Sequence, residues 1–130
     1  MKATLLIAEG NEGLCYLYKN YISKYGYKVE TALDGLGCLA KLRCEMPAVL
    51  VLDWELCWGG GDGILAWLRE QRGPSMPSVV LTSTAGYSLD AAPDTAFPIV
   101  RFLAKPFALT DLLDSVCAAF VKKECAQPFY

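Results

Sequence analysis

The chain has 130 residues, a length that suits one domain with a single hydrophobic core. Its net charge of −2 gives no reason to expect a nucleic acid or an anionic membrane as a partner. No apolar run approaches the roughly 20 residues that a membrane span needs, and the first one is too short for a secretory signal, so we expect a cytoplasmic protein.

The sequence contains six cysteines and no histidine. Because no two cysteines form a CxxC pair, the spacing of a zinc site is absent. In a cytoplasmic chain we expect free thiols that serve as small core residues. The lack of histidine excludes the usual general base and the Ser-His and Cys-His nucleophile pairs.

The N-terminal half of the chain alternates between strand and helix patterns. Residues 3–8 are an apolar run that predicts a buried strand. Asn11 offers a helix cap, apolar residues recur after it at helical spacing, and Gly26 predicts the end of that helix. Residues 27–32 alternate like a second strand, and residues 34–46 predict a second helix.

The C-terminal half continues this alternation. Residues 48–53 are an almost wholly apolar run that predicts a third strand, and residues 62–72 predict a third helix after a glycine-rich loop. Residues 78–83 and 99–104 predict the fourth and fifth strands. Pro93 lies inside the predicted fourth helix between these two strands, so we expect that helix to be short or irregular.

Thr110 is a candidate cap for the last helix, which presents one apolar face. We assign residues 1–122 to one domain and residues 123–130 to a C-terminal tail. Near-continuous apolar strands separated by amphipathic helices predict an α/β fold, a doubly wound five-stranded parallel sheet of the flavodoxin-like kind with helices on both faces. In such sheets, ligands bind beyond the carboxyl ends of the strands.

Polar side chains stand where the predicted strands end. Clustered carboxylates are tolerated when a divalent cation lies among them. A lysine and a hydroxyl opposite a carboxylate could instead hold the oxygens of a phosphoryl group. The residues that meet at this edge are Glu9, Asp53, Glu55, Thr82 and Lys105.

Five segments carry a family resemblance because they occur together in one order and at near-usual spacing. They are "LLIAEGNEGL", "PAVLVLDWEL", "GDGILAWLR", "VVLTSTA" and "FLAKPF". With these segments the chain resembles the receiver domain of a two-component response regulator, over nearly its whole length.

The resemblance implies a function in phosphorelay signal transduction. Asp53 would be the phosphoacceptor, taking a phosphoryl group from the phosphohistidine of a histidine kinase or phosphotransfer protein. Lys105 would pair with the phosphoryl oxygens, and Thr82 would move in to bond them. Phe102 would be the aromatic switch residue. The protein would not be an enzyme, but a phosphoacceptor that assists its own phosphoryl transfer and dephosphorylation.

The resemblance also implies a Mg²⁺ ion held by Glu9, Asp53 and the backbone carbonyl of Glu55. Receivers usually end the first strand with two adjacent acids, whereas here Gly10 follows Glu9. Because a lost carboxylate weakens a site for a hard cation, the chain alone leaves Mg²⁺ binding open. We also expect the three glycines at 59–61 to loosen the loop that presents Glu55.

The predicted partners are a histidine kinase or phosphotransfer protein and a downstream effector protein, with no direct role for nucleic acid or membrane. A homodimer could form through the face made by the fourth helix, fifth strand and last helix. The change at Gly10 keeps an alternative open, in which a degenerate pseudo-receiver binds partners without phosphorylation. A flavin or nucleotide carrier with the same sheet is disfavoured, because "EGNEG" places acids where a phosphate would lie.

Overall fold

A computed structural model describes residues 4–71, 73, 75–84 and 97–125. Five strands and four helices lie in these ranges, in the alternating order that the sequence predicts. The strands are β1 (Thr4–Ala8), β2 (Lys28–Ala32), β3 (Val49–Asp53), β4 (Ser78–Ser83) and β5 (Ile99–Ala104). The helices are α1 (Glu12–Ser23), α2 (Gly35–Cys44), α3 (Gly60–Gln71) and α4 (Leu109–Cys125). The predicted short helix around Pro93 lies outside the described residues.

The start and the end of α1 follow the sequence signals. The side chain of Asn11 accepts a hydrogen bond of 3.0 Å from the amide of Leu14, as an N-cap residue does. Gly26 has a φ of +90°, a left-handed conformation that glycine adopts without steric cost. The predicted cap is therefore confirmed, whereas the helix ends at Ser23, three residues before Gly26, which belongs to the following turn.

The boundaries of the last two helices differ from those predicted. α3 begins at Gly60, two residues before the predicted start. The prediction that Thr110 caps the last helix is wrong, because α4 begins at Leu109 and the amides of Asp111 and Leu112 donate to the carbonyl of Ala108. α4 also continues three residues into the predicted tail, and residues 126–130 lie outside the described part. None of the helices described here is long and apolar enough to cross a membrane.

The five strands form one parallel sheet in the order β2-β1-β3-β4-β5. The chain passes from β1 to one side of the sheet for β2 and to the other side for β3. The strand order therefore reverses between β1 and β3, which is where doubly wound folds open a crevice for ligands. The predicted fold class is confirmed.

Helices cover both faces of the sheet, and alternate strand residues pack on opposite sides. Leu5 and Ile7 of β1 pack with α1 and α4, whereas Leu6 and Ala8 pack with α2 and α3. All residues of β3 and β4 are buried, Asp53 among them. These two buried strands therefore hold the residues at their carboxyl ends in place.

The five cysteines whose side chains are described are all free thiols, as predicted. Cys15 and Cys38 are buried and serve as core residues. The prediction of a core role is wrong for the other three, which are exposed because they lie on a helix end, a loop and the outer side of a helix. These are Cys44, Cys57 and Cys117.

Candidate functional site

Two carboxylates meet at the crevice between β1 and β3. Asp53 is the last residue of β3, and Glu9 follows β1 directly, with its amide donating to the carbonyl of Ala32. Glu9 is 3 % exposed and Asp53 is 4 % exposed. Buried acids need a compensating charge or hydrogen-bond donors, so their immediate neighbours decide what the site can do.

The compensating charge comes from Lys105, which follows β5. Its Nζ lies 2.7 Å from Oε1 of Glu9 and 3.3 Å from Oδ1 of Asp53. The amide of Lys105 donates to the carbonyl of Ser83, which fixes the start of the loop. Burial lowers the pKa of Lys105, but the hydrogen bond and charge of Glu9 and the charge of Asp53 outweigh it and raise the pKa overall. The amine is therefore an ammonium group at neutral pH.

Backbone amides orient the Asp53 carboxylate. The amide of Glu55 donates to Oδ1 over 3.0 Å, and the amide of Gly10 faces Oδ2 at 3.4 Å. The carboxylate of Glu9 is oriented in the same way, because its Oε2 accepts from the amide of Asn11 at 2.8 Å. Each acid thus has one oxygen turned toward the ammonium group.

Gly10 leaves space beside Asp53. A Cβ atom at this position would lie 3.8 Å from Oδ2 of Asp53 and 3.8 Å from the carbonyl oxygen of Leu33, which is ordinary van der Waals contact. The backbone therefore accommodates a side chain here, and what Gly10 removes from the site is a charge.

Thr82 and Phe102 lie on the neighbouring strands. Thr82 pairs with Asp53 across the sheet, is 1 % exposed, and accepts a 2.8 Å hydrogen bond from the Trp54 amide through its carbonyl. Phe102 stands opposite Leu81 on β5 and packs half-buried against the core on the α2 and α3 side. The structure thus brings Glu9, Asp53, Thr82 and Lys105 together, with Phe102 beside them on β5.

The carboxylate of Glu55 is bonded to the end of β4. Its Oε2 accepts from Oγ of Ser83 at 2.6 Å, and its Oε1 accepts from the amide and Oγ1 of Thr84 at 2.8 and 3.0 Å. Burial raises the pKa of Glu55, but these hydrogen bonds and the charge of Lys105 outweigh it and lower the pKa overall. The sequence placed Glu55 among the acids at this edge but did not predict its bonds to Ser83 and Thr84, for which the three consecutive hydroxyl residues at 82–84 were a signal.

The loop between β3 and α3 is closely packed. A Cβ atom on Gly61 would lie 2.7 Å from Cα of Trp54, and one on Gly35 would lie 1.9 Å from the carbonyl oxygen of Trp58. The amide of Gly35 also donates to the carbonyl of Cys57 at 2.7 Å. We expected the glycines to loosen this loop. At position 61 the structure instead requires a glycine, because the Trp54 backbone leaves no room for a Cβ atom.

The donor set fits a weakly held, hydrated Mg²⁺ ion. Among the described residues, no three acids, histidines or cysteines are placed to hold an ion together. Mg²⁺ is nevertheless often bound through one or two carboxylates and keeps several waters. Glu9 and Asp53 provide two, and Gly10 adds no side chain to the set.

A nucleophilic carboxylate, an ammonium group and a nearby hydroxyl can together receive and neutralise a phosphoryl group. The family comparison agrees with this chemistry: the response regulator receiver domain matches residues 5–117. The chain belongs to this family of two-component signalling domains, as the sequence resemblance implied. Receiver domains generally bind Mg²⁺ at their phosphorylation site, and response regulators act with histidine kinases and effector domains.

The curated relatives of this chain have moderate sequence identity to it. The transcriptional regulatory protein TctD of Salmonella typhimurium is 29% identical over 123 residues, which cover 95% of this chain and 54% of that protein. The response regulator MprA of Mycobacterium bovis is 31% identical over 118 residues, 87% of this chain and 48% of that protein. The chain therefore spans about half the length of these curated relatives.

Solved structures show the same fold. A CheY-like receiver domain protein from Methanospirillum hungatei has a TM-score of 0.83 at 19% identity, covering 98% of this chain and 100% of that one. The receiver domain of a Francisella response regulator has a TM-score of 0.81 at 21% identity, covering 93% and 98%. At these identities the similarity establishes the architecture alone.

Proposed function

We propose that Asp53 accepts a phosphoryl group from the phosphohistidine of a partner kinase or phosphotransfer protein. An oxygen of the Asp53 carboxylate forms the new bond to phosphorus, the phosphorus–nitrogen bond to the partner's imidazole breaks, and the leaving imidazole takes up a proton. The observation that carries the proposal is the buried Asp53 carboxylate with the Lys105 ammonium group 3.3 Å away.

Lys105 and Thr82 serve the transferred group in this proposal. Lys105 already neutralises two carboxylates, and it would pair with the phosphoryl oxygens as their negative charge arrives. Thr82 is the strand neighbour of Asp53, so a small movement of β4 brings its hydroxyl to the phosphoryl group. Catalysis in such a site is mainly positioning and neutralisation of charge.

Glu9, Asp53 and the backbone carbonyl of Glu55 would hold Mg²⁺. When bound, the ion supplies positive charge that offsets the negative charge of the phosphoryl oxygens. With two carboxylates instead of three, we expect weak binding, because the affinity of such sites depends on the number of charged ligands.

The output of the phosphorylated state is a changed surface on the β5 side of the sheet. Phe102 packs half-buried on β5 and would turn inward as Thr82 moves. A downstream effector protein, or a second copy of the chain, would recognise that surface. The chain is then a phosphoacceptor and signalling domain, and not an enzyme acting on a separate substrate.

Acetyl phosphate with Mg²⁺ tests the proposal directly. The intact mass of the wild-type protein should rise by one phosphoryl group, and that of Asp53→Asn should not, because the substituted amide is a poor nucleophile. A wild-type protein that gains no mass, or an Asp53→Asn variant that gains the same mass, would contradict the proposed function.

Gly10 and the ion pairs of Lys105 favour one second candidate, a pseudo-receiver that works without phosphorylation. The ammonium group already satisfies both acids, so the site has an internal counter-charge without a metal. A Mg²⁺ titration followed by tryptophan fluorescence separates the two functions, since Trp54 lies next to Asp53. Saturable quenching supports the phosphoacceptor, whereas a flat titration supports the pseudo-receiver.

A further inference from the structure

The turn after β3 is tied to the end of β4 at two points. The amide of Trp54 donates to the carbonyl of Thr82 at 2.8 Å. One residue further on, both oxygens of the Glu55 carboxylate accept hydrogen bonds, from Oγ of Ser83 and from the amide and Oγ1 of Thr84. We call the second set of contacts the Glu55 clamp.

The clamp connects directly to the phosphoacceptor. The amide of Glu55 donates to Oδ1 of Asp53, while its side chain holds the two residues that follow Thr82. The backbone is therefore held at two successive points, by the Trp54 contact at the carbonyl of Thr82 and by the clamp just after it. A backbone movement of β4 that brings Thr82 toward Asp53 would therefore also move the segment that Glu55 holds.

Charge makes the clamp both firm and sensitive to phosphorylation. Hydrogen bonds to a carboxylate are stronger than bonds between neutral groups, and both oxygens of Glu55 accept such bonds here. A phosphoryl group on Asp53 would add negative charge two residues away from the same carboxylate. It would also compete for the hydroxyl and amide donors that Glu55 now occupies.

We infer that the Glu55 clamp restrains the unphosphorylated state. Glu55 acts as a positioning residue: it holds the β4 end away from Asp53, slows uptake of a phosphoryl group, and is released by repulsion once the group is attached. The inference rests on the proposed function and adds its regulation. This role belongs to the Glu55 side chain. It is separate from the role of the Glu55 backbone carbonyl, which would face Mg²⁺.

The test compares Glu55→Gln with a matched loss of charge, Glu70→Gln, at an exposed position on α3. Phosphorylation by acetyl phosphate at fixed Mg²⁺ should be several-fold faster in Glu55→Gln than in the wild type and in Glu70→Gln. A Glu55→Gln rate equal to or below that of the control overturns the inference. If the wild type takes up no phosphoryl group at all, the proposed function fails and the restraint fails with it.

A second measurement separates a restraint from simple charge repulsion. Hydrogen exchange at the Thr84 amide, measured without phosphodonor, should be faster in Glu55→Gln and unchanged in Glu70→Gln. Thr84→Val removes one donor and keeps the charge of Glu55. It should also speed phosphorylation, and its effect should not add to that of Glu55→Gln, because both changes break one contact set. Unchanged exchange, or fully additive rates, would overturn the clamp.

Discussion

Gly10 shows how one missing side chain can change a binding site while leaving the backbone intact. Its amide faces Oδ2 of Asp53, and a Cβ atom would fit at ordinary contact distance from its neighbours. The site therefore differs from the usual acidic pair in charge rather than in shape. We therefore expect the proposed Mg²⁺ site to be weak, because hard cations are held by the number and charge of oxygen ligands.

A carboxylate at position 10 should raise the affinity of the site for Mg²⁺. We predict that Gly10→Asp increases Mg²⁺ affinity on the order of tenfold, measured by isothermal titration calorimetry. Gly10→Asn is the control, since it adds a side chain of nearly the same size without the charge. Equal affinities for the two variants would show that the missing charge is not what limits binding.

Lys105 should contribute to stability as well as to chemistry, because it neutralises two buried acids. We predict that Lys105→Met lowers the free energy of unfolding at neutral pH by about 1–3 kcal/mol, measured by urea denaturation. The folded state raises the lysine pKa above its ordinary 10.5, so the stabilisation is complete below that pH and is lost as pH rises through the higher folded value.

The difference in stability between the wild type and Lys105→Met should accordingly be constant from neutral pH to about pH 10.5 and shrink above it. Lys24→Met, at an exposed helix end, should behave like the wild type throughout. A Lys105→Met protein as stable as the wild type at neutral pH would contradict the role of the ammonium group in holding Glu9 and Asp53 together.

For individual residues, the sequence predicted which ones lie close together, but not the direction in which each side chain points. Asp53 and Glu9 could be placed because each ends a strand of a parallel sheet. The Glu55 carboxylate could not be placed, because its direction depends on the path of the turn after β3 and on donors 28 and 29 residues away. The hydroxyl residues at 82–84 mark possible donors, but no local pattern gives the direction of the carboxylate.

Among the elements, the loop between β3 and α3 combines close packing with backbone strain. Trp58 has a φ of +58°, a left-handed conformation that is costly for a bulky side chain, and it is 71 % exposed. Strain of this kind persists where the surrounding structure holds it in place. Here the Trp58 carbonyl lies against Gly35, and the neighbouring Cys57 carbonyl accepts from the Gly35 amide.

Relieving this strain should stabilise the fold. We predict that Trp58→Asn raises the free energy of unfolding by up to about 1 kcal/mol, since asparagine tolerates the left-handed region and little packing is lost from an exposed side chain. Trp58→Val should lower it, because a β-branched residue fits that region worst. Thermal unfolding of the three proteins measures both changes, and the reverse order of stability would contradict a strained position 58.

Element types were easier to predict than element ends. β4 and β5 begin and end where their apolar patterns do, and α1 is capped as its sequence indicates. The start of α3 was missed because Gly60 and Gly61 are poor helix formers by themselves, and tertiary packing overrides that propensity. The start of α4 was missed because Thr110 looks like a cap but lies inside the first turn.

For the whole molecule, topology creates the site. The order β2-β1-β3-β4-β5 places Glu9 and Asp53 on either side of the crevice and Lys105 within reach of both. The sequence predicted this arrangement because continuous apolar strands between amphipathic helices favour a parallel sheet covered on both faces. The segment around Pro93, where the pattern is weakest, lies outside the described residues.

The two helical layers should contribute most of the stability through buried apolar side chains. We predict that Leu112→Ala, on the inner face of α4 and 0 % exposed, costs about 2–5 kcal/mol of unfolding free energy. Val121→Ala, on the same helix and 59 % exposed, should change it by about 0.5 kcal/mol or less. Similar losses in urea denaturation for both variants would contradict the packing of α4 against the sheet.

The proposed function requires that Asp53 receives the phosphoryl group. Treatment with acetyl phosphate and Mg²⁺, reduction with borohydride and peptide mass mapping would locate the modified residue, since borohydride reduces an acyl phosphate to an alcohol and leaves free carboxylates intact. We predict reduction at Asp53 alone, and only when the phosphodonor is present. Reduction at Glu9 or Glu55 in its place, or no reduced residue in a protein that has gained phosphate, would contradict it.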